Sequence, residues 1–135
     1  MSDSLTSASV PEQALEPLIY VVDDEPMIGT IVELSLQMRQ YRTSVFKDPA
    51  VALEAFIEAK DKPDMLITDY NMPGLTGIDL IRACTEAHPK MKSILLSGTV
   101  DESFLRTLEP QPDKFIAKPF FPQELLDVVK TLLAG

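Results

Sequence analysis

At 135 residues the chain is long enough for one hydrophobic core and too short for two ordinary domains, and its 45% apolar and 24% charged content is that of a globular protein. No stretch approaches the roughly 20 apolar residues that span a bilayer, the opening MSDSLTSASV lacks the basic and apolar regions of a signal peptide, and the single Cys84 excludes an intramolecular disulfide, so a cytoplasmic protein without membrane insertion is expected. The formal charge is −9, from 21 acids against 12 bases, and no Lys/Arg cluster offers a footprint for direct nucleic-acid binding.

Residues 1–17 are rich in Ser, Thr and Pro and carry Asp3, Glu12 and Glu16 without a base. They read as a flexible N-terminal tail, with room for a short helix around Glu12 to Leu15, ahead of one folded domain over 18–135. From Leu18 onward, short apolar runs alternate with helical patterns. The first run, LIYVV (18–22), precedes a stretch in which Ile28, Ile31, Val32 and Ser35 or Leu36 recur at helical spacing. TSVF (43–46) precedes Asp48-Pro49, an N-cap and a proline at the first helical position, which opens AVALEAFIEA. MLIT (65–68) is followed by a helix carrying Ile78, Ile81 and Cys84 on one face and ending before His88-Pro89. SILLS (93–97) leads to a short helix capped by Asp101 and stopped by Pro110. KFIAK (114–118) precedes a last helix with Leu125, Val128, Val129 and Leu132 in one stripe.

Continuous apolar runs suit strands buried on both faces, and five β/α alternations with short connections predict a (βα)5 α/β fold, a doubly wound five-stranded parallel sheet. Ligands of such sheets bind beyond the carboxyl ends of the strands. The residues there are Asp23 and Asp24 after the first run, Asp69 after the third, Ser97 closing the fourth and Lys118 closing the fifth. Taken singly, each is an ordinary loop or surface residue. Together they place three carboxylates, a hydroxyl and an ammonium along one edge.

That set has a chemical logic. Adjacent carboxylates repel, and a cation offsets the repulsion. Mg²⁺ prefers oxygen ligands and keeps several waters. Asp24 and Asp69 are candidate direct ligands, Asp23 acts directly or through a water, and the backbone carbonyl of Asn71 is a further candidate. An Asp is also a competent nucleophile that forms an aspartyl phosphate. Phosphoryl transfer then needs positioning and charge neutralisation, which the cation and Lys118 supply from two sides, with Ser97 donating a hydrogen bond to a phosphoryl oxygen. Glu25 suits the dipole at the start of the first helix and is read as structural.

The motifs VVDDEP, ITDYNMPGLTGIDL, LLSGT and FIAKPF, in this order, give the chain a close similarity to the receiver domain of bacterial two-component response regulators. The resemblance covers Leu18 to about Ala134. It implies a flavodoxin-like fold with strand order 2-1-3-4-5, and Asp69 as phosphoacceptor. It implies Mg²⁺ (with Mn²⁺ able to substitute) on Asp23 and Asp24, Ser97 as switch hydroxyl, Lys118 as the site lysine and Phe115 as switch aromatic. Lys118-Pro119 would be cis. Pro73, Gly77 and Pro119 are expected to position the site, and Gly74 to make a tight loop. The partners implied are a sensor histidine kinase or histidine phosphotransfer protein as donor, and a downstream protein contacting the fourth helix, fifth strand and fifth helix. Homodimerisation is left open. The catalysis is of the domain's own aspartyl phosphorylation and dephosphorylation, not of metabolite turnover.

Some residues depart from the family pattern. Gly98 follows Ser97 where Ala is more usual, the fourth helix is short, and Phe121 stands at the N-cap of the last helix where Ser or Thr is usual. Phe120 can staple against Leu125, whereas Phe121 has no structural task and is expected to be an exposed partner contact. A single-domain response regulator is the leading expectation. A receiver domain from a larger response regulator or hybrid kinase would read the same, and a phosphorylation-independent pseudo-receiver is the alternative binding module. An Asp-nucleophile phosphatase of the haloacid-dehalogenase type wants an acid where Asn71 stands. A flavodoxin would need a phosphate loop after the first strand, where this chain has acids. His88 has no neighbouring ligand or acid pair, and Cys84 reads as a small core hydrophobe.

Overall fold

The computed structural model describes residues 16–134. The element order is β1 (Leu18–Val22), α1 (Pro26–Gln37), β2 (Arg42–Phe46), α2 (Pro49–Glu58), β3 (Met65–Asp69), α3 (Gly77–Ala87), β4 (Lys92–Ser97), α4 (Glu102–Leu105), β5 (Lys114–Ala117) and α5 (Pro122–Ala134). The strands form one parallel sheet in the order β2-β1-β3-β4-β5, as the (βα)5 reading and the implied 2-1-3-4-5 order expected. The expected helix around Glu12 to Leu15 and most of the expected tail lie outside the described residues. At its inner end, Pro17 O accepts from the Arg42 N–H (2.9 Å) and Glu16 O from Arg42 Nε (3.0 Å). Among the described residues no helix is long and apolar enough to cross a membrane.

The alternation of strand side chains builds two cores. Ile19 and Val21 of β1, with Met65, Ile67, Ile94, Leu96 and Ile116, pack beneath Val32 and Leu36 of α1 and Leu125 and Val129 of α5. Tyr20 and Val22, with Leu66 and Leu95, pack beneath Ala52 and Phe56 of α2 and Ile78, Leu80, Ile81 and Cys84 of α3. Both faces of the central strands are covered, which is why their sequences are continuously apolar. The Cys84 thiol is buried and its pKa is pushed up to about 11, in keeping with a packing role.

Caps fix where the helices begin. Asp48 accepts from the Ala50 N–H at 2.9 Å, ahead of Pro49. Thr76 and Asp79 form a reciprocal capping box on α3 (both bonds 3.1 Å). Asp101 caps α4 by accepting from the Phe104 N–H at 2.9 Å. That helix is four residues long and buries none of them. Its trailing segment is tied down instead by Gln111, whose side chain donates to Leu105 O (2.8 Å) and Leu108 O (2.7 Å). The peptide bonds Glu109–Pro110 and Lys118–Pro119 are both cis.

Two helical details depart from the sequence reading. Ile31 faces solvent, because the buried seam of α1 is Gly29, Val32 and Leu36. A Cβ on Gly29 would lie 3.2 Å from Val45 Cγ1, so the bare glycine lets the helix settle on β2 and turns Ile31 outward. Glu25 occupies the N-cap of α1, but its side chain makes no capping bond. Its carboxylate is directed elsewhere.

Candidate functional site

The carboxyl ends of β1, β3, β4 and β5 lie side by side. Asp23 follows Val22, and its backbone N–H donates to Phe46 O (3.1 Å), which extends the β1–β2 pairing by one step. Asp69 ends β3 and Ser97 ends β4. The Lys118 N–H donates to Ser97 O (2.9 Å), which fixes the lysine immediately beyond β5. Between β3 and β5 lie two strand spacings, about 10 Å. The long Lys118 side chain spans that distance to reach the acids.

Asp23 and Asp69 are buried, at 1% and 6% exposure, while Asp24 is exposed. Carboxylate oxygens of Asp23, Asp24 and Asp69 lie within 4.8 Å of one another. Lys118 Nζ stands 2.9 Å from Asp23 Oδ2, 2.9 Å from Glu25 Oε1 and 3.3 Å from Asp69 Oδ1. Asp23 Oδ1 accepts from the Glu25 N–H at 2.9 Å. The buried Asp23 Oδ2 accepts no hydrogen bond of good geometry, so its contact with Lys118 is an ion pair only.

Charge and burial compete here. Desolvation and the Asp23 charge raise the Asp69 pKa, against a lowering by Lys118. Burial by itself would pull the Lys118 pKa down, but the close carboxylates of Asp23 and Glu25 and the charge of Asp69 outweigh it and leave it raised. Three carboxylates, Asp23, Glu25 and Asp69, face one ammonium, with Asp24 beside them. A donor set of hard oxygens, one of them buried without a hydrogen bond, and excess negative charge fit a hard divalent cation such as Mg²⁺.

The Ser97 hydroxyl is turned toward its own loop. It accepts from the N–H groups of Thr99 (3.1 Å) and Val100 (3.2 Å), and lies 3.3 Å from Thr99 Oγ1. Thr99 Oγ1 in turn accepts from Asn71 Nδ2 at 2.7 Å, linking the loops after β3 and β4. Phe115 is half-buried and packs on the α3 side of the sheet, as do Tyr70 and Leu105. Tyr70 also meets Phe104 edge to face (5.7 Å between centroids), which ties α4 to the residue after Asp69.

The loop after Asp69 is narrowly shaped. Gly74 has φ +92°, a left-handed conformation that favours glycine, and Pro73 precedes it on the surface. The Gly77 N–H donates to Tyr70 O (3.0 Å), and a Cβ on Gly77 would lie 2.3 Å from Asp69 O. Pro119 follows the cis bond that starts at Lys118. The structure therefore brings Asp23, Asp24, Asp69 and Lys118 together, with Ser97, Asn71 and Phe115 on the loops and strand beside them. Sequence reasoning missed Glu25 as a partner of Lys118. The two are 93 residues apart, and nothing local to VVDDEP signals the contact.

Comparison with known proteins gives a consistent result. A family model described as "Response regulator receiver domain" matches residues 19–130. The chain is 31% identical over 116 residues to the transcriptional regulatory protein CreB of Escherichia coli K12, an alignment that covers 85% of this chain and 50% of CreB. It is 32% identical over 117 residues to the sensor kinase CckA of Brucella abortus, covering 85% of this chain and 12% of that one. The chain thus spans half or less of the length of these relatives. Among solved structures, the BeF3-activated DrrB receiver domain superposes with a TM-score of 0.80 at 28% identity, over 90% of this chain and 100% of that one.

Proposed function

The chain belongs to the receiver-domain family of two-component response regulators, a family of phosphorylation-based signalling, and we propose that Asp69 is its phosphoacceptor. The observation that carries this reading is one buried carboxylate, Asp69, held 3.3 Å from a lysine and within 4.8 Å of two further acids at the strand ends. Asp23, Asp24 and Asp69, with the backbone carbonyl of Asn71, would hold Mg²⁺, or Mn²⁺ in its place. That ion would neutralise phosphoryl oxygens that the acids would otherwise repel.

The chain's own residues do the rest. A carboxylate oxygen of Asp69 attacks phosphorus, and the bond to the donor breaks, with its electron pair leaving on the donor. Lys118 neutralises an equatorial phosphoryl oxygen. The donor is a phosphohistidine on a sensor histidine kinase or phosphotransfer protein, and a small acyl phosphate substitutes for it. Ser97 then leaves the Thr99 and Val100 N–H groups to donate to a phosphoryl oxygen, and the half-buried Phe115 ring turns inward with it. The face of α4, β5 and α5 would carry that change to a downstream protein. The same Asp69 chemistry serves a cytoplasmic single-domain regulator and a receiver joined to further domains.

A protein donor must cover the strand-end edge. The exposed stripe Met27, Ile31 and Leu34 on α1, continued by Met38 at its C-cap, starts three residues after Asp24, and Phe121, 81% exposed, lies three residues after Lys118. Both surfaces suit an apolar helical face on the donor. The reading is tested by intact mass after incubation with acetyl phosphate. One added phosphoryl group that requires Mg²⁺ is expected. No adduct, with Mg²⁺ binding shown independently and hydrolysis slow enough to exclude loss, would favour a phosphorylation-independent binding module.

A further inference from the structure

The ammonium of Lys118 is shared by three carboxylates of different standing. Asp23 and Asp69 are buried and belong to the cation-binding cluster. Glu25 does not. Its side chain is 62% exposed and caps no helix end, and its carboxylate meets Lys118 at 2.9 Å, as close as Asp23 does. The Glu25 backbone is fixed relative to the cluster, because its N–H donates to Asp23 Oδ1.

These two kinds of contact differ in strength. A lysine paired inside the pocket is hard to withdraw, since parting buried charges leaves each one desolvated. An exposed carboxylate gives up its partner at little cost, because water replaces it. Glu25 therefore offers Lys118 a water-facing hold beside the buried one. Without it, the ammonium would rest wholly on Asp23 and Asp69 and compete more strongly with a cation for their oxygens.

We propose that Glu25 is a positioning residue for phosphoryl transfer. It takes a share of the Lys118 ammonium at the mouth of the pocket, so that a divalent cation displaces the lysine from Asp23 and Asp69 more readily, and it releases the lysine when a phosphoryl oxygen arrives. Glu25 takes no part in bond making or breaking. The inference rests on the assignment of Asp69 and Lys118 given above.

The test uses the whole chain carrying Glu25→Gln or Glu25→Asp, the latter keeping the charge but shortening the reach, each with and without Lys118→Met. The first readout needs no metal. It is the side-chain ammonium resonance of Lys118, assigned by its loss in Lys118→Met. Both Glu25 substitutions should shift or broaden it, and a resonance unmoved by either would overturn the proposal. The second readout is the Mg²⁺ dissociation constant by calorimetry. With Lys118 present, Glu25→Gln should raise it about three- to tenfold, and with Lys118→Met by less than about twofold. An equal change in both backgrounds would mean a plain charge effect and contradict the proposal. The third is phosphorylation by acetyl phosphate. The Mg²⁺ needed for half-maximal rate should rise while the maximal rate stays within about twofold, and a fall in maximal rate would place Glu25 in the chemistry itself. Wild-type protein that binds no Mg²⁺ and takes no phosphoryl group would refute the functional reading, while the ammonium resonance would still decide the role of Glu25.

Discussion

Asp69 is buried beside Asp23, and desolvation and the Asp23 charge raise its pKa against the pull of Lys118. A carboxylate kept in such surroundings works against folding near neutral pH. Asp69→Asn removes the charge and keeps the shape, so thermal melts without divalent cation should show a gain on the order of 1 kcal/mol. Mg²⁺ should raise the melting temperature of wild-type protein by mass action, and raise that of Asp69→Asn less. A loss of stability in Asp69→Asn would mean that the Lys118 contact outweighs the burial. The meeting of Asp23, Asp24 and Asp69 was legible in the sequence, because strand ends in a parallel sheet can be read off the apolar runs. Glu25 was not. Its helix position suggested a dipole role, and only the fold brings Lys118 to it across 93 residues.

Among the elements, α3 sets the geometry of the Asp69 loop from its first turn. Thr76→Ala removes half of the capping box and should cost about 1 kcal/mol in denaturant unfolding, with the slope unchanged. The Thr76 backbone N–H bond lowers the Asp79 pKa. A carboxylate with a depressed folded pKa contributes its stability above the unfolded value and loses it as pH falls through the folded one. The penalty of Asp79→Asn should therefore be present at neutral pH and vanish in acid. Gly77→Ala would drive a Cβ to 2.3 Å from Asp69 O, so a destabilisation of about 1–3 kcal/mol and slower phosphorylation are expected together. A neutral result would mean that the loop yields freely. Helix existence was legible from caps and prolines, and the shortness of α4 from the prolines after Leu108. The outward turn of Ile31 was not, because a glycine at the packing seam adds nothing to an apolar pattern yet decides which arc of α1 lies against β2.

At the scale of the molecule, one sheet edge gathers the candidate site, and the surfaces around it are the proposed contacts for partners. The alternation of runs made the doubly wound parallel sheet readable, since both-face burial leaves few other homes for such strands. The apolar stripe on α1 became visible only once the sheet had claimed the opposite face. Leu34→Asp should slow phosphoryl transfer from a protein donor at least about tenfold, while acetyl phosphate, which needs no such surface, still reacts. Equal rates from the protein donor would move the docking surface elsewhere. The central claim is the identity of the phosphoacceptor. The most direct test is to phosphorylate the protein with acetyl phosphate and Mg²⁺, reduce the acyl phosphate with borohydride and map the modified peptide. The account predicts a single reduced residue at position 69, absent in Asp69→Asn. Reduction at Asp23, Asp24 or any other carboxylate, or an adduct that persists in Asp69→Asn, would contradict it.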